Sequence, residues 1–285
     1  MIPNKQKQEI KTLANIQLYV TGWLVDDARA AILIVHGIGE HSGRYHHVIR
    51  ALNRRGYSVF TYDQRGHGKS GGQRMHIDTP DVLPDDVGVV REDIDADVGE
   101  LPLFLYDHSM GSLVALAYAL DHQDALAGLI LTGAPFDFDS SVSPLLLAVS
   151  KIANRLLPRI QALDLFSTKD LSRDPAVVKA YNDDPLNHHG RLSVRSGTSL
   201  FELLMRTRAR LGELTVPLLL LHGAGDAVCP PTGSEMIYAR AASADKTLTI
   251  YPELFHEIQN EPERDTVFAD IINWLDAHTE APKPA

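Results

Sequence analysis

The chain has 285 residues, and its composition of 44% hydrophobic and 22% charged residues excludes a disordered, collagen-like or low-complexity protein. Its net charge of −10, from 27 basic and 37 acidic residues, argues against general binding to nucleic acid, whose affinity depends on lysine and arginine. The one cysteine, Cys229, excludes an internal disulfide framework and a zinc site built from cysteine alone.

The chain begins with the polar segment MIPNKQKQEI, where a secretory signal would be apolar. No apolar run reaches the ~20 residues that a membrane-spanning helix needs. We therefore expect a cytoplasmic protein that has no nucleic-acid partner.

Strand predictions begin at residues 9–24, which contain two probable strands joined by a tight turn. Strand-length runs then follow that are apolar at consecutive positions, which is typical of strands buried on both faces of a parallel sheet. These runs are Ala30–Val35, Tyr57–Tyr62, Leu101–Tyr106, Leu126–Leu131, Val216–Leu221 and the shorter Leu248–Tyr251.

Helical segments alternate with these strands. They cover residues 44–55, 110–122, 230–241 and 262–277. This alternation predicts a doubly wound α/β sheet with right-handed crossovers. We interpret the acidic segment 78–100, which has seven aspartates and two glutamates against one arginine, as a solvated surface.

One stretch, residues 136–197, departs from this alternation. It contains no run typical of a buried strand, and after Pro144 its apolar residues recur at helical spacing. We interpret it as a helical cap inserted over the working edge of the sheet. Residues 1–135 and 198–285 then form the core.

The segment Asp107-His108-Ser109-Met110-Gly111 directly follows a predicted strand and opens a predicted helix. A serine at such a turn forms a nucleophile elbow, in which the tight turn lifts the hydroxyl clear of the sheet. The alternative is that Ser109 only caps the helix. Its partners must decide between the two.

A nucleophilic serine needs a histidine base and a carboxylate that orients the base, and in elbow enzymes the carboxylate precedes the histidine in the chain. Asp226 follows the strand run VPLLLLHG, and His256 follows LTIY. Both lie at carboxyl ends of predicted parallel strands, where such sheets place their sites. We therefore predict Ser109, Asp226 and His256 as a catalytic triad.

A glycine-containing turn, beginning with His36 and Gly37, follows the first buried strand. A turn of this kind supplies one backbone N–H of an oxyanion hole, and the residue after the nucleophile supplies the other. We therefore predict the amides of Ile38 and Met110 as the donors.

Together these motifs resemble the monoacylglycerol lipase family, and its bacterial members in particular. The matching segments are HGIGEHSGRY (36–45), YDQRGHGKS (62–70), HSMG (108–111) and FHEIQNEPER (255–264), and the resemblance spans about residues 16–277. It implies an α/β-hydrolase fold with a helical cap, the triad and oxyanion hole named above, and hydrolysis of monoacylglycerol to glycerol and fatty acid.

The resemblance further implies that Glu40, Arg44 and Tyr181 lie near the polar glycerol end of a small amphiphilic lipid ester. An apolar cap suits the acyl chain of such a substrate. Lys151, Arg155 and Arg159 recur every four residues on the predicted cap helix. They form either a contact with an anionic lipid surface or simply a solvated face.

The chain departs from the family at Asp107, where the family has glycine. We expect a charge there to oppose the oxyanion that forms on the substrate. Two alternative functions therefore stay open. They are a broad short-chain carboxylesterase or lysophospholipase, and a catalytically weak binding protein with a hydrolase fold.

Partial matches to cofactor and metal motifs are incomplete. Gly37-x-Gly39 is followed by Ser42 where a dinucleotide fingerprint has its third small residue, and the calcium-like Asp93-x-Asp95-x-Asp97 lacks the required glycine. We therefore expect neither a cofactor nor a metal.

Overall fold

The computed structural model describes residues 5–13, 15–137, 154–164 and 166–279. In these parts of the chain, an eight-stranded sheet carries helices on both faces, and a separate two-stranded sheet lies outside it. This arrangement confirms the predicted α/β class.

The strands of the large sheet lie in the order β1-β2-β4-β3-β5-β6-β9-β10, and those of the small sheet are β7 and β8. Their bounds are β1 Lys5–Leu13, β2 Ile16–Leu24, β3 Ala30–Val35, β4 Tyr57–Asp63, β5 Leu103–His108, β6 Gly128–Thr132, β7 Gln161–Leu163, β8 Leu192–Ser193, β9 Leu218–Gly223 and β10 Lys246–Tyr251. In the large sheet β1 and β2 are antiparallel to their neighbours, and the remaining pairs, from β4 through β3, β5, β6 and β9 to β10, are parallel. β7 and β8 are antiparallel. The predicted strands are confirmed.

The helices carry the crossovers between parallel strands. Their bounds are α1 His46–Asn53, α2 Val82–Val98, α3 Met110–Asp121, α4 Pro175–Asp183, α5 Val194–Ala209, α6 Thr232–Arg240 and α7 Arg264–His278. The four helices predicted from the sequence are α1, α3, α6 and α7, and they end within two residues of the predicted bounds.

Side chains of β3 and β5 alternate between two apolar layers, because successive residues of a strand face opposite sides. Leu33 and Leu105 pack with α2, α3 and α5. Ile34 and Tyr106 pack with α1 and α7. The sheet is therefore enclosed on both faces, and its carboxyl edge is the surface left for a site.

The interpretation of residues 78–100 as a solvated surface is wrong, because α2 occupies most of that segment. Leu83, Val87 and Val90 are fully buried in the layer that packs against the sheet. Asp86 is also fully buried, and it accepts hydrogen bonds from the Arg65 guanidinium at 2.5 and 2.6 Å. The exposed acidic residues of α2 form the outer face of an amphipathic helix, namely Asp85, Glu92, Asp95 and Asp97.

Most of the predicted cap helix after Pro144 lies outside the described residues. Within them, the chain is helical over 154–156 and then turns at Pro158. Arg159 therefore lies outside that helix, and the prediction that it continues a row of basic residues with Arg155 along one helix is wrong. β7 and β8 pair further along the chain. α5 begins at Val194 and continues beyond residue 197, the predicted boundary between cap and core.

Among the described residues, no helix combines the length and the apolar character that crossing a membrane requires.

Candidate active site

Ser109 lies between β5 and α3 with φ of 54° and ψ of −122°, a conformation that non-glycine residues rarely adopt. Its backbone N–H donates to the Thr132 carbonyl at 2.9 Å, which ties the turn to β6. A Cβ at Gly111 would lie 2.1 Å from the Val35 carbonyl oxygen, so only glycine lets α3 start this close to β3. The segment is a strained strand-to-helix elbow.

Asp226 and His256 meet at the carboxyl ends of β9 and β10. The Asp226 carboxylate lies 2.7 Å from His256 Nδ1, and both side chains are buried. Burial alone would raise the pKa of Asp226, but His256 and the hydrogen bonds of His222 hold it well below its usual range. Because the carboxylate accepts, Nδ1 of His256 carries a proton and Nε2 is left to accept one.

Ser109 and His256 line the same narrow pocket, so the structure brings together all three predicted triad residues. Gly133, with φ of 58°, leaves room for the imidazole, since a Cβ there would lie 3.0 Å from His256 Cε1. The His108 ring packs against the His256 ring at 4.7 Å. Burial lowers the pKa of His108 to about 3, so this neighbour is neutral.

The two predicted oxyanion donors border one cavity together with Ser109. Met110 is the first residue of α3, so its N–H has no acceptor within the helix. Ile38 follows Gly37, whose N–H donates to Glu40 Oε1 at 2.7 Å. This bond folds the glycine turn back on itself beside the elbow.

The structure also brings together Glu40, Arg44 and Tyr181. Arg44 Nη1 donates to Glu40 at 2.7 Å, and the guanidinium lies over the Tyr181 ring at 4.8 Å. Glu257, which sequence reasoning missed, accepts two bonds from Arg44 at 2.6 and 2.7 Å. No spacing rule could reveal Glu257, because its partner is 213 residues away in the chain.

Residues of the predicted cap reach this cluster through the Gly39 carbonyl. That oxygen accepts from the Tyr181 hydroxyl at 2.9 Å and from the His188 N–H at 2.8 Å. On the opposite side of the site, the Glu257 N–H donates to the Leu171 carbonyl at 2.8 Å. The cap is therefore hydrogen-bonded to the loops that carry Gly39 and His256.

A larger, mainly apolar cavity of about 410 Å³ opens beside Ser109. Its apolar walls come from α3, from the cap and from α5. They include Leu113, Leu163, Phe166, Leu200, Phe201 and Leu204. Sequence reasoning predicted an apolar cap but missed the contribution of α5.

Two further residues flank the elbow. Asp107 is fully buried, and neither carboxyl oxygen accepts a hydrogen bond from a described residue. Burial raises the pKa of Asp107 well above its usual range, so the carboxyl group is neutral. The expectation of a charge that opposes the oxyanion is therefore wrong. Cys229 is also buried, and it lines the apolar cavity together with Ser109.

The chain is similar along most of its length to proteins of a known family. A family described as serine aminopeptidase, S33, matches residues 26–263. The chain is 36% identical over 271 residues to the monoacylglycerol lipase of Mycolicibacterium smegmatis, which is 93% of this chain and 95% of that protein. The chain belongs to the monoacylglycerol lipase family.

Two further members of the monoacylglycerol lipase family are similar to this chain over most of its length. Human monoglyceride lipase is 35% identical over 264 residues, covering 88% of this chain and 84% of that protein. The crystal structure of Paleococcus ferrophilus monoacylglycerol lipase superposes with a TM-score of 0.81 at 32% identity. That match covers 92% of this chain and 99% of the other. The predicted α/β-hydrolase fold and family are confirmed.

Proposed function

We propose that the protein hydrolyses monoacylglycerol to glycerol and a fatty acid, with Ser109, His256 and Asp226 as its triad. The observation that carries this proposal is the 2.7 Å contact between Asp226 and His256 at the pocket that Ser109 also lines. The family membership of the chain supports the reaction class.

In the first half of the reaction, Ser109 Oγ attacks the ester carbonyl and passes its proton to His256 Nε2. Asp226 holds the imidazole and stabilises its charged form. The N–H groups of Ile38 and Met110 stabilise the oxyanion. His256 then protonates the departing glycerol oxygen, which leaves an acyl group on Ser109.

In the second half, water attacks the acyl group as His256 takes a proton from it, and collapse of the oxyanion releases the fatty acid and restores Ser109. We place the acyl chain in the 410 Å³ cavity, because a mainly apolar cavity suits a hydrocarbon chain. Arg44, Tyr181 and Glu40 form the polar end of the site, where the glycerol group would lie.

We propose residues 136–197 as the cap, with 1–135 and 198–285 as the core, and the cap as the surface that meets lipid. Its large apolar side chains include some that are strongly exposed, namely Leu156, Leu157, Ile160 and Leu163. Arg155 is exposed directly before Leu156, whereas Arg191 is paired with the Asp164 carboxylate at 2.8 Å. A basic residue beside exposed apolar side chains suits a transient contact with an anionic lipid surface.

The decisive experiment combines a substrate panel with active-site labelling. We expect monoacylglycerols of long acyl chain to be hydrolysed with higher kcat/KM than di- and triacylglycerols or short p-nitrophenyl esters. A fluorophosphonate should label Ser109, and Ser109→Ala should abolish labelling and lower kcat by about 10⁴-fold or more while circular dichroism stays unchanged.

Each alternative function gives a different result. A preference for short esters would make the protein a general carboxylesterase instead. Absence of labelling in a folded wild-type protein would make it a hydrolase-fold binding protein. Residual activity in Ser109→Ala would contradict the assignment of the elbow.

A further inference from the structure

His36 is a fully buried histidine at the carboxyl end of β3, and the proposed mechanism gives it no part. Its Nδ1 lies 2.7 Å from the Gly37 carbonyl oxygen, and its Nε2 lies 2.9 Å from the Gln64 backbone N–H. A carbonyl oxygen can only accept and an N–H can only donate. The ring is therefore neutral, with its proton on Nδ1.

The Gly37 carbonyl belongs to the same peptide group as the Ile38 N–H. A trans peptide is planar, so its C=O and N–H point in opposite directions and cannot turn separately. A bond from His36 to the carbonyl therefore also sets the direction of the Ile38 N–H. The preceding peptide is fixed as well, because the Gly37 N–H donates to Glu40 at 2.7 Å.

The surroundings of His36 hold the ring in place. The Gln64 side-chain amide donates to the His36 carbonyl at 2.5 Å, so Gln64 binds this residue twice. The His67 ring packs edge-on at 5.3 Å. Burial lowers the pKa of His36 against the opposing effect of Glu40 and Asp63, which agrees with the neutral form that the contacts require.

We propose that His36 is a positioning residue: its Nδ1–H, bonded to the Gly37 carbonyl, aims the Ile38 N–H at the oxyanion. This inference rests on the proposed hydrolase function, in which Ile38 is an oxyanion donor. A donor that is fixed before the reaction needs no reorganisation when charge develops on the substrate oxygen. Loss of the bond should therefore affect the transition state rather than substrate binding.

Two substitutions separate the bonds that His36 makes. Asparagine carries a donor near the position of Nδ1, so His36→Asn keeps the bond to Gly37 and loses that to Gln64. Glutamine reaches the position of Nε2, so His36→Gln keeps the bond to Gln64 and loses that to Gly37. The two variants therefore test which bond sets the rate.

We expect His36→Gln to lower kcat on a monoacylglycerol by roughly 10²-fold with KM within about twofold, the scale of losing one oxyanion donor. His36→Asn should keep kcat within about fivefold of the wild type. Affinity for a trifluoromethyl ketone, which forms an oxyanion on Ser109, should fall in parallel with kcat.

His76→Gln is the matched control, since His76 is also a buried histidine but its two ring nitrogens bond to Ser193 and Asp78, neither of which bonds to His36 or Gly37. A folded His36→Gln variant with wild-type kcat would overturn the proposal, as would an equal loss of kcat in His76→Gln. If the His36 variants do not fold, nitrogen NMR of the wild-type ring decides, and a proton on Nε2 would refute the inference.

Failure of the proposed function looks different. In that case the wild-type protein would neither hydrolyse a monoacylglycerol nor react with a fluorophosphonate, whatever residue stands at position 36.

Discussion

Asp107 is an uncharged acid in the core of the protein, one position from the strand end. It shares the face of Leu105 on β5, since side chains two apart in a strand point the same way, and His108 points to the other face. Because it is neutral and turned away from His256, Asp107→Gly should hydrolyse monoacylglycerol about as fast as the wild type. A comparison of kcat/KM at one pH checks this, and a loss of more than about tenfold in a folded variant would contradict it.

The raised pKa of Asp107 also has a consequence for stability. In the unfolded chain an aspartic acid ionises near pH ~3.9, whereas in the folded protein burial keeps Asp107 protonated to much higher pH. At a pH above the unfolded pKa, folding therefore takes up a proton at Asp107. The contribution of Asp107 to the free energy of unfolding falls as pH rises through the window between its two pKa values.

Asp107→Asn keeps the shape of the protonated acid but needs no proton. We expect it to raise the free energy of unfolding at pH 7.5 by about 1 kcal/mol or more, with the difference shrinking towards zero at pH 4. Urea denaturation at the two pH values measures this. Equal stability of the two proteins at pH 7.5 would mean that Asp107 is charged in the folded state.

Cys229 lines the apolar cavity beside Ser109, and its side chain is buried. Burial raises the pKa of the thiol well above its usual range, so modification should be slow. We expect an apolar maleimide to inactivate the protein by filling the cavity rather than by touching the triad. Loss of monoacylglycerol hydrolysis over time measures the reaction.

Cys229→Ala provides the control, because Cys229 is the only cysteine in the chain. The variant should stay active and resist the maleimide. Equal sensitivity of the variant would mean that the reagent acts elsewhere, and an inactive variant would make the thiol part of the machinery.

At the scale of elements, the buried strands were predictable, because consecutive apolar residues bounded by turns leave few alternatives. That Ser109, Asp226 and His256 lie close together was predictable for a related reason, since the carboxyl ends of parallel strands share one edge. The position of Glu257 was not predictable, because its contact with Arg44 joins two loops 213 residues apart in the chain. His222 lies only four residues from Asp226, but it is inside the apolar run of β9, where no motif marks a histidine as a carboxylate partner. The apolar positions of α2 had helical spacing, but the acidic composition around them concealed it.

α2 depends on the pair formed by Arg65 and Asp86. Removal of one member of a buried pair leaves an unpaired charge, and we expect Asp86→Ala to lower the free energy of unfolding by about 3–5 kcal/mol. Asp85→Ala, its exposed neighbour, should change stability by less than about 0.5 kcal/mol. Urea denaturation compares them.

The double variant Arg65→Met/Asp86→Leu refines this test. It removes both charges, so it should lose less stability than Asp86→Ala alone. A double variant less stable than the single one would show that Arg65 makes other essential contacts.

At the scale of the whole molecule, the apolar cavity is enclosed by regions far apart in the chain, which include the elbow, the predicted cap, α5 and the loop that carries Val228 and Cys229. Leu200 of α5 is partly buried on its wall. The larger indole of Leu200→Trp should occupy cavity volume, so the ratio of kcat/KM for long against short monoacylglycerols should fall by roughly tenfold, about 1.4 kcal/mol.

Met205→Trp is the matched control, since Met205 lies on the same helix and is 40% exposed. It should leave the ratio unchanged. An unchanged ratio in Leu200→Trp would place the acyl chain outside this cavity.

Three hydrogen bonds limit how this protein can be recombined with its relatives. They are the bonds from Tyr181 and His188 to the Gly39 carbonyl and the bond from the Glu257 N–H to the Leu171 carbonyl. A chimera that transplants the cap from a relative would break all three bonds unless the donor and acceptor loops match. The unit that can be transplanted is therefore the cap together with the loops around Gly39 and His256. Cap exchanges designed on sequence boundaries alone should yield folded hydrolases whose kcat has fallen, and transplanting the two loops with the cap should restore it.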